Sequence, residues 1–307
     1  MNNLYNCLEI QQGAGQNKIV GGHEAKPHSH PYIVSLQTRL LYMRMHVCGG
    51  ALINKYFILS AAHCASESWL IRWLPMDAVA GMHNVNVFKS PVQVNQIKER
   101  IRHPLYKGGI GPHDIALFKT MLPFRFTKAV KPIKLPSNFN NEPSASALKV
   151  IGWGALSTTF FFPDLPDNLQ EVKVKAIPFR DCYNLIEALK EIYESNPLDK
   201  QSNLCTGPTS GGIAACAGDS GGPLVQIRNI VPPTTNPIEE NAEIHNASLY
   251  TKEQGRLEEG KPQADNVESV LLGVVSWGVS PCGEVGAPTV YTNVSNYIDF
   301  INYAIKT

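Results

Sequence analysis

Residues 48–62 read CGGALINKYFILSAA, short apolar runs parted by an Asn-Lys pair and fronted by two glycines. Runs of this length, bounded by turn-forming residues, read as strands. The same texture recurs on both sides: PYIVSLQ at 31–37, WLPMDAVAG at 73–81, DIALFK at 114–119, ALKVIGWG at 147–154 and LQEVKVKAI at 169–177. Further on come SVLLGVVSWG at 269–278 and PTVYTNV at 288–294. Many short strands at even spacing predict an all-β barrel or sandwich. The chain closes on YIDFINYAI, which sets Ile298, Ile301 and Ile305 at helical spacing and predicts a C-terminal helix packed on the β-structure.

Two stretches break this texture. Met1 to Lys18 is polar, rich in Gly, Gln and Asn, and without periodicity, as a removable leader is. Residues 227–269 are rich in Asn, Glu, Pro and Thr, and read as a solvated insertion between strands. Asn246-Ala247-Ser248 within it is a glycosylation sequon. A second match, Asn293-Val294-Ser295, falls at the entry of the last helix, where Asn or Ser serves as a cap.

Bulk properties narrow the function classes. Of 307 residues, 27 Lys+Arg stand against 26 Asp+Glu, a balance that argues against an electrostatic nucleic-acid binder. The longest late apolar run, 270–279, is interrupted by Gly273, Ser276 and Gly278 and falls short of the roughly 20 residues a membrane-spanning helix needs. The first eighteen residues lack the basic start and apolar core of a secretory signal. None of the seven cysteines stands in CxxC spacing, so disulfides and an oxidising, extracellular compartment are the better expectation.

Three local patterns carry the chemistry. Ser220 sits in AGDSGGP at 217–223, among glycines that let a backbone approach a ligand closely. Alone, such a serine is a turn residue, and Asp114 before Ile-Ala-Leu is a strand-edge residue. His63, in AAHC at 61–64, changes the reading, because the order His, Asp, Ser is that of a known catalytic constellation. A serine hydroxyl is a poor nucleophile at neutral pH until a hydrogen-bonded imidazole takes its proton.

With these motifs in their order, IVGG at Ile19, CGGALI at Cys48, AAHC, DIAL, GWG at Gly152, GDSGGP and SWG at Ser276, the chain resembles the chymotrypsin/trypsin family of serine peptidases from Ile19 to Thr307, less the insertion. The resemblance implies two packed six-stranded antiparallel β-barrels with a C-terminal helix, and a peptidase domain over 19–307. It also implies that His63 is the base, Asp114 its orienting partner and Ser220 the nucleophile of an acyl-enzyme mechanism. The backbone N–H groups of Gly218 and Ser220 would form the oxyanion hole, where losing one donor costs about 2.7 to 4 kcal/mol.

The same resemblance makes Lys18–Ile19 an activation junction. Cleavage there would free an α-amino group on Ile19 to pair with buried Asp219, while Ser35 and His46 stand where relatives hold that aspartate before cleavage. The substrate pocket would be lined by Ala214, Ala215, Ser276, Trp277, Gly278 and Thr289. Without a carboxylate at 214, cleavage after Lys or Arg is disfavoured, and medium to large apolar side chains fit best. Ser276 to Gly278 would pair with the substrate backbone as an added strand.

The resemblance pairs Cys48 with Cys64, Cys182 with Cys205, and Cys216 with Cys282, leaving Cys7 over. The loop at 81–93 resembles a calcium-binding segment, but Met82 and Val92 replace the oxygen ligands that calcium requires. No metal or cofactor is expected. The expected partners are protein or peptide substrates, an activating protease that cuts after Lys18, and protein inhibitors, with no nucleic acid or membrane, and the chain a monomer. The alternative is a non-catalytic homologue that keeps the scaffold as a binding module. Such proteins usually lack a triad residue, and this sequence has all three.

Overall fold

The computed structural model describes residues 21–40, 43–65, 74–137, 148–155, 165–190, 195–229, 267–279 and 282–306. Lys18, Ile19, Cys7 and the sequon at Asn246 lie outside them.

Six strands form the first barrel: β2 (Ile33–Leu40), β3 (Met43–Leu52), β4 (Phe57–Ser60), β5 (Met76–Ala80), β6 (Gln93–Arg102) and β7 (Ala116–Thr120). They close in the order β2-β3-β4-β7-β6-β5. The second barrel uses β8 (Leu148–Gly152), β9 (Gln170–Ile177), β10 (Asn203–Gly207), β11 (Pro223–Asn229), β12 (Val267–Gly278) and β13 (Thr289–Asn293). A β8–β9 pairing closes it, and the short β1 (His23–Glu24) is appended to β9. Closure gives each strand of the two barrels a neighbour on both sides over part of its length. The fold is therefore two six-stranded antiparallel barrels, as the resemblance implied.

Alternation marks some strands, while β4 and β5 are buried throughout. Along β9, Val172 and Val174 are buried while Lys173 and Lys175 are exposed, the period-two pattern of a strand with one face in a core. Val34, Leu36, Leu52, Ile58, Leu59 and Val79 fill the first barrel, and Leu148, Val150, Leu224, Val275 and Tyr291 the second. At about 25 cal/mol per Å² of apolar surface, these closed interiors supply the main stabilisation.

The C-terminal helix, α2 (Ile298–Lys306), buries Ile301 and Ala304 against the core of the first barrel, with Ile298 and Ile305 packed beside them. Asn293 accepts hydrogen bonds from Ser295 N and Oγ at the entry of the turn before α2, so it is a cap there. One helix was not expected: α1 (Phe179–Leu189) lies in a region read as strands and loops. It buries only Cys182 and Ile186, one turn apart, and the Cys182–Cys205 disulfide fastens it to β10. The other two disulfides are Cys48–Cys64 and Cys216–Cys282.

The strands flanking the polar stretch reach further into it than the sequence suggested. Ile227 pairs with Ser269, Arg228 with Glu268 and Asn229 with Val267. Backbone pairing, with Ile227 packed on the core, extends this ladder, so residues 227–229 and 267–269 belong to the barrel. Among the described residues no helix is long and apolar enough to cross a membrane.

Candidate active site

Antiparallel register brings the first two residues together. Ser60 at the end of β4 opposes Ala116 at the start of β7. His63 follows β4 in a 3-10 turn and Asp114 stands two residues before β7, so both emerge at the same end of the barrel. The His63 side chain is 26% exposed and that of Asp114 only 2%. His63 N donates to Asp114 Oδ1 at 2.9 Å, and His63 Nδ1 donates to Oδ2 at 2.8 Å. A carboxylate can only accept, so the ring proton sits on Nδ1 and Nε2 is left as an acceptor.

Two hydroxyls from the second barrel complete the cradle. Ser276 Oγ donates to Asp114 Oδ2 at 2.6 Å, and Thr292 Oγ1 donates to the Asp114 carbonyl at 2.6 Å. Ser276 lies in a register shift, where Val275 faces Tyr291 but Trp277 faces Val290. A bulge of this kind re-aims one side chain. The sequence placed Ser276 only on a substrate-facing strand edge, and Thr292 was not singled out. Neither the bulge nor the cross-barrel contact leaves a local signature.

Ser220 is held through its backbone. Gly49 N donates to Ser220 O at 2.8 Å, Gly221 N to Val275 O at 2.8 Å, and Gly222 N to Asp219 O at 2.8 Å. Gly221 has φ 75°, and a Cβ there would lie 2.0 Å from Ser60 Oγ and 3.1 Å from Cys64 Sγ, so only glycine fits. The residue after Ser220 thus rests on the residue after His63. The Cys48–Cys64 bond tightens this, because Cys48 adjoins the Gly49 that binds Ser220. His63 lies close to both sulfurs, but these are bonded to each other and are not free metal ligands.

Asp219 is fully buried. Its Oδ1 accepts from Gly154 N at 2.8 Å and Oδ2 from Cys216 N at 3.0 Å. Burial pushes its pKa up to about 6, against the pull of those two N–H groups. A Cβ on Gly152 or Gly154 would stand 2.1 or 2.2 Å from this carboxyl group, which explains both glycines of the GWG motif. Ser35 and His46 do pair, Oγ to Nδ1 at 2.8 Å, but the other ring nitrogen donates to Gly218 O at 2.9 Å. His46 therefore anchors Gly218 (φ 96°) in this conformation, not Asp219 as the sequence suggested. Burial lowers the His46 pKa, against the pull of its bond to Gly218.

Beside this loop, Ala214, Ala215 and Thr289 are all buried, and Ala215 N donates to Thr289 Oγ1 at 3.3 Å. Gly278 pairs with Thr289 across β12 and β13, and a Cβ on Gly278 would touch nothing nearer than 3.9 Å. Trp277 packs against the group around Cys182, Ile186, Leu198 and Val290. These walls are apolar, with one hydroxyl and no charge. At the supposed calcium loop, Met82 is buried and Val92 packs on the first core.

Comparison with known proteins agrees with this geometry. Residues 19–256 match the family model described as Trypsin. Granzyme-like protein 1 of Rattus norvegicus is 37% identical over 209 residues, 68% of this chain and 77% of that protein. Trypsin II-P29 of Gallus gallus is 31% identical over 295 residues, 95% of this chain and 91% of its own. Lectizyme of Glossina austeni is 30% identical over 305 residues, 96% of this chain and 89% of its own.

Proposed function

The chain belongs to the trypsin family and is a serine-type endopeptidase, and from that premise we propose that His63, Asp114 and Ser220 perform the hydrolysis through an acyl-enzyme. The observation that carries the reading is the buried Asp114 carboxylate, which holds His63 by both backbone and ring. With its proton on Nδ1, His63 is ready to take the Ser220 hydroxyl proton at Nε2 and later deliver it to the leaving amine. Asp114 stabilises the imidazolium formed between those steps. Gly218 N–H and Ser220 N–H receive the developing oxyanion.

Specificity for medium to large apolar P1 residues follows from Ala214, Ala215 and Thr289. A cation entering a recess without a carboxylate would be buried unpaired. Ser276, Trp277 and Gly278 offer the strand edge to the substrate backbone. The enzyme is made as a zymogen with leader 1–18 and peptidase domain 19–307, and is cut after Lys18 by another protease. The new Ile19 ammonium then pairs with Asp219, whose burial makes a counter-charge valuable. Three formed disulfides support secretion. Protein substrates and protein inhibitors are the partners of the monomer.

The test is hydrolysis of peptides ending in Arg, Phe, Leu or Ala by chain cut at Lys18. Cleavage after Phe or Leu is expected, with Ser220→Ala lowering kcat by roughly 10⁶-fold. Preference for Arg would overturn the pocket assignment, and full activity in Ser220→Ala would overturn the triad.

A further inference from the structure

The residue before Asp114 has an unusual backbone and an unusual neighbour. His113 is left-handed, φ 63°, a conformation uncommon outside glycine. Its carbonyl accepts from Ile115 N at 2.8 Å, which makes Asp114 the tip of a three-residue turn. The turn is tied to the end of β6 by His103 N, which donates to Ile115 O at 3.0 Å.

The two imidazoles are stacked, with centroids 4.9 Å apart and planes 14° from parallel. Tyr297 meets both rings edge-on, and Phe300 of α2 meets His103 edge-on at 4.8 Å. Each histidine has a fixed polar partner. His113 Nδ1 and Tyr297 OH are 2.9 Å apart, Tyr297 OH lies 2.6 Å from Ser202 Oγ, and Leu105 N donates to His103 Nδ1 at 3.3 Å. Tyr297, from the turn before α2, is the titratable group in contact with both rings; Asp199 from the 195–202 segment and Asp114 act on Tyr297, and exposed Arg102 of β6 adjoins His103.

We propose that His113 is a positioning residue for Asp114, and that its stack with His103 makes this positioning acid-sensitive, so that protonating His103 releases the turn that presents the carboxylate. The inference rests on the reading of Asp114 as the partner of the catalytic histidine. Burial, and after it the coulombic effect of the stacked His113, hold the His103 pKa below its ordinary value. A depressed histidine pKa means that the native arrangement is favoured while the ring is neutral. That advantage is lost as pH falls below the ordinary histidine pKa of about 6.5.

The experiment is the pH profile of kcat/KM between pH 4.5 and 8.5 for chain cut at Lys18, beside His103→Phe, which keeps an aromatic stack without a titrating group. Protonation of His63 alone gives an acid limb of about tenfold per pH unit. The wild type is expected to approach about a hundredfold per unit at the foot of the limb, and His103→Phe to return to tenfold. A tenfold limb in the wild type, or a hundredfold limb surviving in His103→Phe, overturns the proposal. Should His103→Phe not fold, histidine NMR of the uncut wild type decides. The His103 resonance is then expected to titrate together with a shift of Tyr297, and titration that leaves Tyr297 unmoved overturns the coupling. Activity surviving in Ser220→Ala would instead strike the triad reading.

Discussion

The first barrel presents His63 and Asp114, the second half presents Ser220, and the two halves hold their residues by different means. His63 and Asp114 leave paired strands whose register fixes their separation, and side-chain hydrogen bonds join them directly. Ser220 stands on a loop with few side chains to pack. Its shape comes from left-handed glycines, backbone bonds and one buried carboxyl group. Strand register changes only if the barrel unfolds, whereas a loop centred on one buried acid can be rearranged by changing the charge beside that acid. Under the proposed activation the serine half is therefore the one rearranged by cleavage, while strand register holds the histidine half through it.

The sharpest test of the histidine half is Asp114→Asn. An amide can donate to His63 Nδ1, which forces the ring proton onto Nε2, where it blocks acceptance from Ser220. The expected loss in kcat is roughly 10⁴-fold, a magnitude taken from the equivalent change in a relative of this same family. KM should stay within a few-fold and the thermal transition should persist. A loss of under tenfold in a folded variant would mean that the Asp114 contact does not set the tautomer.

The switchable half is probed by Asp219→Asn. In the cut enzyme it removes the proposed partner of Ile19, and kcat should fall about 10²- to 10³-fold, the effect of losing an oxyanion donor. In the uncut chain the sign is different. Because the Asp219 pKa is raised to about 6, the native state binds a proton more tightly than the unfolded state, so stability declines as pH rises from about 4 to 6. The decline is on the order of 3 kcal/mol. Urea titrations of uncut wild type and Asp219→Asn over this range should diverge by that amount, and parallel curves would deny that Asp219 is held at such a cost.

The same contrast governs what the sequence made legible. Motifs confined to a few residues, such as AAHC, DIAL and GDSGGP, announce themselves, and the structure brings His63 and Asp114 into contact. Strand texture was readable from alternation in β9 and the runs around Cys48, but barrel closure is a long-range pairing that no local run encodes. Helix α1 escaped because it is short and fully buries only two residues, one a cysteine, while Tyr183 and Leu189 stay exposed. The Ser276 bulge and the choice of Gly218 over Asp219 by His46 escaped for a similar reason. Each depends on which distant group arrives at the site, and the residue types alone allow both outcomes.

The smallest expected effect lies at the polar stretch, and it bears on whether the serine half is switched from elsewhere in the chain. Asn229 and Val267 are opposite partners at the end of the β11–β12 ladder, so their backbones already lie within reach of a tight turn. Replacing residues 230–266 by Asn-Gly supplies the left-handed conformations that a two-residue hairpin needs, and a shorter loop lowers the entropy of closure by a small, logarithmic amount. The ladder from Leu224 to Asn229 should therefore persist, and with it the Gly221 and Gly222 contacts to Val275 that support Ser220. The expected result is kcat/KM within about threefold of the parent on a short peptide, since the replacement begins beyond Asn229 and Val267 and keeps the contacts that hold Ser220. A large drop in kcat in a folded variant would show that the stretch acts on the site, and would move the control of Ser220 from the buried carboxyl group at Asp219 to residues 230–266.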